Sequence, residues 1–277
     1  MVFQNRIKKL ILPVYQMNMT IKKQLKKIIS LLPEAWNRKI YRASAGSFGQ
    51  GHTPIYHVYH HISNLRRLGF KPELIIDAGA YIGEWTENVR KIFPESTFVM
   101  VEAQASKQNV LQEITRKYEN VNLEMALLGD AERDNVEFFE METGSSIYEE
   151  NTHYDRKKVN LKMRTLDAVA EKYPVRGSCF IKMDVQGAEI DILKGASELL
   201  KNTNFILLEV STLNYNENAP EFAEVVKFMK DIGYVLFDIC DEHRILENQV
   251  LFQIDLIFAK ESADIRKAVD FKKQAKI

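Results

Sequence analysis

The chain has 277 residues, 45% hydrophobic and 27% charged, which is enough to bury a sizeable core and ordinary for a globular protein. Its 38 Lys/Arg balance 38 Asp/Glu, so the formal net charge is zero and no nucleic-acid partner is expected. The balance hides an asymmetry: residues 1–42 hold ten bases and one acid, which leaves 28 bases and 37 acids in the rest. Such a split implies that the two parts meet different surroundings, or each other. The two cysteines, Cys179 and Cys240, form no CxxC or zinc-type cluster, so neither a disulfide framework nor a structural zinc is expected and a reducing cytoplasm is the simplest home.

At the start, "LILPVY" is too short and lacks the small-residue cleavage site of a signal peptide, and no apolar run reaches the length of a membrane span. Residues 20–32, "TIKKQLKKIISLL", place Ile21, Leu25, Ile28, Ile29 and Leu32 on one helical stripe with lysines elsewhere around the wheel. Two readings stand for this basic amphipathic helix. It packs on the main domain with a solvated lysine face, or it touches an anionic inner-membrane surface as a peripheral anchor. Residues 1–42 thus form a helical extension, and 43–70 a Gly-rich linker followed by a lead-in helix, "IYHVYHHISNLRRLGF".

From residue 71 strand and helix signals alternate. Strands are expected at "LIIDA" (74–78), "TFVMVEA" (97–103), "VNLEMALLG" (121–129), "CFIKMDV" (179–185) and "NFILLEVS" (204–211), with a closing hairpin of "YVLFDIC" (234–240) and "VLFQIDLIFAK" (250–260). Helices fall between them at 83–93, 106–118, 188–201 and 221–233. Short apolar strands separated by helices predict a doubly wound, mostly parallel α/β sheet of seven strands with an antiparallel last strand. Between the third and fourth strands lie about fifty residues, far more than an ordinary crossover. Within them "NVEFFEME" and "KVNLKMRTL" alternate as an inserted β-hairpin would, around the polar loop "TGSSIYEENTHYDR". A long ordered insertion at the carboxyl edge of such a sheet usually carries function.

In an open α/β sheet ligands bind beyond the carboxyl ends of the strands. Asp77, Gly79 and Gly83 close the first strand and open the next helix, where glycines permit a tight turn and helix amides favour an anion. An ordinary structural corner would look the same. Glu102 ends the second strand, where an acid can accept both hydroxyls of a ribose. There is no GxGxxG and no GxxxxGK[ST], which argues against an NAD-dependent enzyme and a P-loop.

The segments "LIIDAGAYIGEWT", "FVMVEA", "TLDAVA", "FIKMDVQGAEIDILKGA", "ILLEVS" and "QIDLIFAK" resemble, in order, the FkbM family of methyltransferases over about residues 70–260. "IKMDVQGAEIDILKGA" is the most specific of them. The resemblance implies that residues 71–277 form a Rossmann-like methyltransferase domain. It implies S-adenosylmethionine as methyl donor, S-adenosylhomocysteine as product, and transfer to a hydroxyl oxygen of a sugar, glycan or secondary metabolite. It also implies that Asp77, Gly79, Ala80 and Gly83 line the methionine end of the cofactor, that Glu102 holds the ribose, and that Ala126 and Leu127 flank the adenine.

Methyl transfer to a hydroxyl needs alignment and a group that takes the proton. Asp184, at the end of the fourth strand, is the first candidate base or acceptor-orienting group; it could instead hold the cofactor's amino group. Glu209 at the end of the fifth strand and His153 in the inserted loop are the others. Lys182 shares a strand face with Asp184 and can pair with an acid in the cleft. His52, His57, His60 and His61 lack an acid or thiol to complete a metal set, so no metal is expected. A non-catalytic binding module is the other class of reading. The acceptor's identity and the oligomeric state are not legible in the residues.

Overall fold

A computed structural model describes residues 58–151, 155–214, 216–245 and 248–267. The basic extension, most of the linker, His52, His57 and His153 lie outside the described residues. Among the described residues no helix is long and apolar enough to cross a membrane.

Helix α1 (Val58–Arg67) leads into β1 (Leu74–Ala78), α2 (Glu84–Ile92), β2 (Thr97–Glu102), α3 (Gln108–Lys117) and β3 (Val121–Met125). An inserted region follows, made of β4 (Leu127–Gly129), β5 (Arg133–Glu140) and β6 (Lys157–Thr165), and α4 (Leu166–Ala170) returns the chain to the main sheet. There follow β7 (Cys179–Met183), α5 (Glu189–Lys194), α6 (Leu199–Asn202), β8 (Thr203–Ser211), α7 (Phe222–Asp231), β9 (Tyr234–Arg244) and β10 (Leu251–Lys260).

Seven strands pair in the order β3-β2-β1-β7-β8-β10-β9. All pairings are parallel except those of β10, which runs antiparallel to both β8 and β9. The expected antiparallel last strand is therefore present, wedged between its neighbours instead of lying at the edge. Every residue of β1 and β7 is buried, as strands covered on both faces must be. One face packs Leu74, Ile76, Ile181 and Ile206 against Ile192, Leu193, Val225 and Met229. The other packs Ile75, Phe98, Phe180 and Phe205 against Ile62, Leu65, Val89 and Leu111.

Three expectations need correction. The apolar run 121–129 is two strands, not one. Ala126 N–H makes a last bond to Glu102 O (2.9 Å), and the chain then crosses to pair Leu127 with Met163 in a separate three-stranded sheet, β4-β6-β5. The inserted hairpin of β5 and β6 is real but gains β4 as a third, parallel strand. The helix expected at 188–201 breaks into α5 and α6. Gly195 packs so close to the small sheet that a Cβ there would lie 2.4 Å from Gly129 O. Asp167 then takes the first amides of α6, from Glu198 (2.9 Å) and Leu199 (2.8 Å), so the second piece starts with its own cap.

The turn from β1 into α2 depends on Gly83, which adopts φ 74° at the helix N-terminus. A Cβ there would meet Ile114 Cδ1 at 2.3 Å and Met100 Sδ at 3.1 Å. Gly83→Ala is expected to lower unfolding free energy by about 2–4 kcal/mol, from left-handed strain plus crowding, read as a lower urea midpoint at unchanged m-value.

Glu189 heads α5 and is 3% exposed, its carboxylate accepting the amides of Gly187 (3.2 Å) and Val185 (3.4 Å). Burial pushes its carboxyl up to about 7 although these amides pull it down. The folded chain therefore holds this proton more tightly than the unfolded chain. The contribution favours folding at low pH and is lost as pH rises from about 4.5 to about 7. Glu189→Gln keeps an acceptor for both amides and removes the charge. It is expected to exceed the wild type in stability by about 1–3 kcal/mol at about pH 8, with the difference closing near pH 4. Denaturant titrations at the two pH values check this.

Candidate functional site

The carboxyl ends of β1, β2 and β7 open into a cleft of about 130 Å³. Its floor begins where the chain leaves β1. Gly79 adopts φ 74°, and its N–H and that of Ala80 both donate to Val101 O of β2 (3.0 and 3.1 Å). A Cβ on Gly79 would stand 2.0 Å from Asp184 O, so the exits of β1 and β7 approach each other as only glycine permits.

Glu102, at the end of β2, is 4% exposed. Its Oε2 accepts Tyr81 N–H (2.7 Å) and its Oε1 accepts Gln104 N–H (2.8 Å). Burial raises its pKa while the two amides act in the opposite direction. The amides fix the carboxylate in one orientation at the cleft wall and leave each oxygen a further lone pair. Ala126 and Leu127, at the crossing between the two sheets, continue that wall with Phe138 and Ile147. The result is a polar acid beside an apolar slot.

Part of the inserted region forms a strap over this end. Glu142 Oε2 accepts from Tyr81 OH and from Lys107 Nζ (both 2.6 Å), and Gln104 Nε2 donates to Glu142 O (2.9 Å). Farther along, Ser146 Oγ donates to Gln186 O (2.8 Å). Thr143, Ser145, Ser146 and Ile147 thereby face the cleft.

Beneath the floor lies a buried ion pair. Lys182 Nζ is 3.1 Å from Asp77 Oδ1 and 3.8 Å from Asp184 Oδ2, and donates to Gly79 O (3.1 Å). Burial alone would lower the lysine's pKa; the Asp77 and Asp184 charges outweigh it and raise it. Asp77 also accepts the Thr86 hydroxyl (2.7 Å). Asp77, Ala80 and Gly83 are not among the residues lining the cleft, whereas Gly79, Glu102, Ala126, Leu127 and Asp184 are.

Asp184 belongs to a polar network that sequence spacing does not reveal. Gln186 Nε2 donates to Asp184 Oδ1 (2.8 Å) and to Glu209 Oε1 (2.7 Å), and Gln253 Nε2 donates to the same Glu209 oxygen (2.8 Å). His243 Nε2 stands 3.7 Å from both Glu209 Oε2 and Asp255 Oδ1. Burial, then Asp184 and Asp255, raises the Glu209 pKa; the Asp255 and Glu209 carboxylates raise that of His243 against its burial. Glu209 does not line the cleft itself and reaches Asp184 through Gln186. Glu209, Gln253 and Asp255 fall in strands expected from the sequence, but β9 runs on to Arg244, past the expected end at Cys240, so Asp241 and His243 lay outside it and the register across three strands could not be read. His61, one of the four clustered histidines, pairs instead with Asp238 (2.7 Å).

The lining fits S-adenosylmethionine. A buried carboxylate with oriented lone pairs suits two ribose hydroxyls, and the slot of Leu127, Phe138 and Ile147 suits a flat purine. Residues 77–236, more than half the chain, match the family described as the Methyltransferase FkbM domain. No curated protein matches the sequence. Among solved structures, the chain is similar to the FkbM methyltransferase of Methylobacillus flagellatus KT (17% identity, TM-score 0.43), over 72% of this chain and 49% of that one. It is similar to a precorrin-6y C5,15-methyltransferase of Geobacter metallireducens GS-15 (14%, TM-score 0.43), over 74% and 87%. It is also similar to Aeropyrum pernix fibrillarin, determined with natively bound S-adenosyl-L-methionine (12%, TM-score 0.39), over 72% and 76%. The family match covers the glycine corner, Glu102 and the whole 179–195 segment, and by it the chain belongs to the FkbM methyltransferases, which take their methyl group from S-adenosylmethionine.

Proposed function

We propose that this enzyme methylates a hydroxyl oxygen of a sugar, glycan or small metabolite. The observation that carries the reading is Asp184, a carboxylate 39% exposed on the wall of the cofactor cleft. A hydroxyl acceptor must lose its proton as the new bond forms, and a carboxylate within reach of the cleft can take it.

The cofactor supplies an electrophilic sulfonium methyl group; the protein aligns an acceptor with it. In this reading Glu102 holds the ribose hydroxyls and thereby sets the depth of the donor. Leu127, Phe138 and Ile147 exclude water from the adenine end. Gln186 orients Asp184 through Oδ1, and the Lys182 ammonium lies 3.8 Å from Oδ2. Asp184 would accept the hydroxyl proton, and the oxygen would keep the electron pair that makes the new O–CH3 bond as the S–CH3 bond breaks and its pair stays on sulfur, leaving S-adenosylhomocysteine. Glu209, with its raised pKa, holds its own proton more tightly and supports Asp184 through Gln186.

Glu102→Ala is expected to weaken S-adenosylmethionine and S-adenosylhomocysteine binding by about 10- to 100-fold in calorimetry. Asp77→Ala is a poor probe of the same thing. It strands the buried Lys182 charge, at a cost of about 3–5 kcal/mol in stability. Asp184→Asn is expected to bind the cofactor as the wild type does while losing at least about 100-fold in turnover, on the sugar or metabolite alcohol found by screening with labelled cofactor. Full turnover in Asp184→Asn removes it as the base. Cofactor binding with no transfer to any alcohol in the screen would favour a binding module.

A further inference from the structure

Across the carboxyl edge of the sheet the strand register lines up acids. Glu209 of β8 stands directly opposite Asp255 of β10, and Asp255 directly opposite Asp241 of β9. Asp184, which follows Met183, continues the row on the other side, since Met183 is opposite Leu208. Residues opposite one another project from the same face of a sheet, and like charges in such positions repel. The neighbouring cation Lys182 is engaged by Asp77 below the row. A row of carboxylates needs positive charge from elsewhere, and His243, opposite Gln253 on the same face, is the group aimed at it.

We propose that Glu209, His243 and Asp255 form a binding site for one divalent first-row transition cation, such as Mn2+ or Zn2+. The three offered ligand atoms all lie within 4.8 Å of one another. The 3.7 Å gaps from His243 Nε2 to each carboxylate are too long for hydrogen bonds. They are close to the roughly 3–3.5 Å that separates two ligands bonded to one cation at about 2.1 Å. His243 Nε2 is buried and has no hydrogen-bond partner among the described residues. Gln186 and Gln253 both donate to Glu209 Oε1, which turns Oε2 toward His243. Such outer contacts are what orient a ligating carboxylate. One imidazole and two carboxylates suit zinc, iron or manganese better than an all-oxygen magnesium site. The imidazole ring is 35% exposed, so a cation could enter and keep open positions for water.

All three groups ligate in their deprotonated forms, so the site is probed at about pH 8.

The test uses the full chain after EDTA dialysis, titrated with Mn2+ under electron paramagnetic resonance and with Zn2+ in a calorimeter. The expected result is one equivalent bound per chain. His243→Gln and Asp255→Asn should each weaken it at least about 30-fold, with circular dichroism and S-adenosylmethionine affinity unchanged. Pulsed resonance on the Mn2+-loaded wild type should also show nitrogen coupling from one imidazole, a readout that needs no variant to fold. No saturable binding at about pH 8, no nitrogen coupling, or equal binding in the wild type and both variants overturns the site. These readouts stand apart from methyl transfer, so the site can fail without the assignment of a hydroxyl acceptor failing, and the reverse.

Discussion

Lys182 carries a full charge into the floor of the sheet, 8% exposed, and three elements converge on it. Asp77 of β1 faces it in register on the neighbouring strand, Asp184 lies just above, and the carbonyl of Gly79 accepts from its ammonium group. Asp77 in turn holds the Thr86 hydroxyl of α2. A buried pair of this kind contributes little net stability against an apolar pair of the same shape, but losing either partner is expensive. What it gives here is position. It ties the exits of β1 and β7 together at the point where Gly79 and Asp184 almost touch, so Asp184 has one place to stand. The bonds from Gly79 and Ala80 to Val101 extend the same knot to β2, and Glu102 follows at its end.

The small sheet completes what the knot begins. Because the chain leaves β3 at Ala126 and starts β4 at once, the apolar wall of the cleft is built from the junction of two sheets. Gly195 brings α5 close against that junction, and the strap at Glu142 is clamped to the β1 and β2 exits by Tyr81, Lys107 and Gln104. Its far end is held by the buried pair of Arg156 and Glu150, with Arg156 also donating to Gly144 O (2.9 Å). The described residues of the insertion thus form part of the cleft wall.

Much of this was legible in the residues because it is local. Five-residue apolar strands announce a parallel sheet, and an acid at a strand end announces a pole of the cleft, so Glu102 and Asp184 could be placed before any coordinates. What could not be read is non-local. "VNLEMALLG" has no polar break at Ala126, so nothing in its pattern separates two strands that belong to different sheets. The break at Gly195 follows from contact with Gly129, which is distant in the chain. Asp77 reads as a cleft residue from its motif, yet the register that sets it opposite Lys182 buries it. His243 belongs to none of the quoted segments, and it and Asp255 of "QIDLIFAK" meet Glu209 only because β10 runs backwards between β8 and β9.

That reversal has a consequence for the electrostatics of the cleft. In a fully parallel sheet the carboxyl edge would present only strand ends. Here β10 enters the same edge at its beginning, so Gln253 and Asp255, early in the strand, stand beside Glu209 near the end of β8. The edge thus gains acids from both strand directions. The donor end of the cleft has one carboxylate held by amides, while the opposite side has a row of them stabilised by amide donors and His243. Negative potential on that side draws positive charge toward Asp184 and away from the apolar slot of Leu127, Phe138 and Ile147. Lys182 already answers to Asp77, so the row is eased instead by the amide donors on Glu209 and by His243 standing between Glu209 and Asp255, with or without a bound ion.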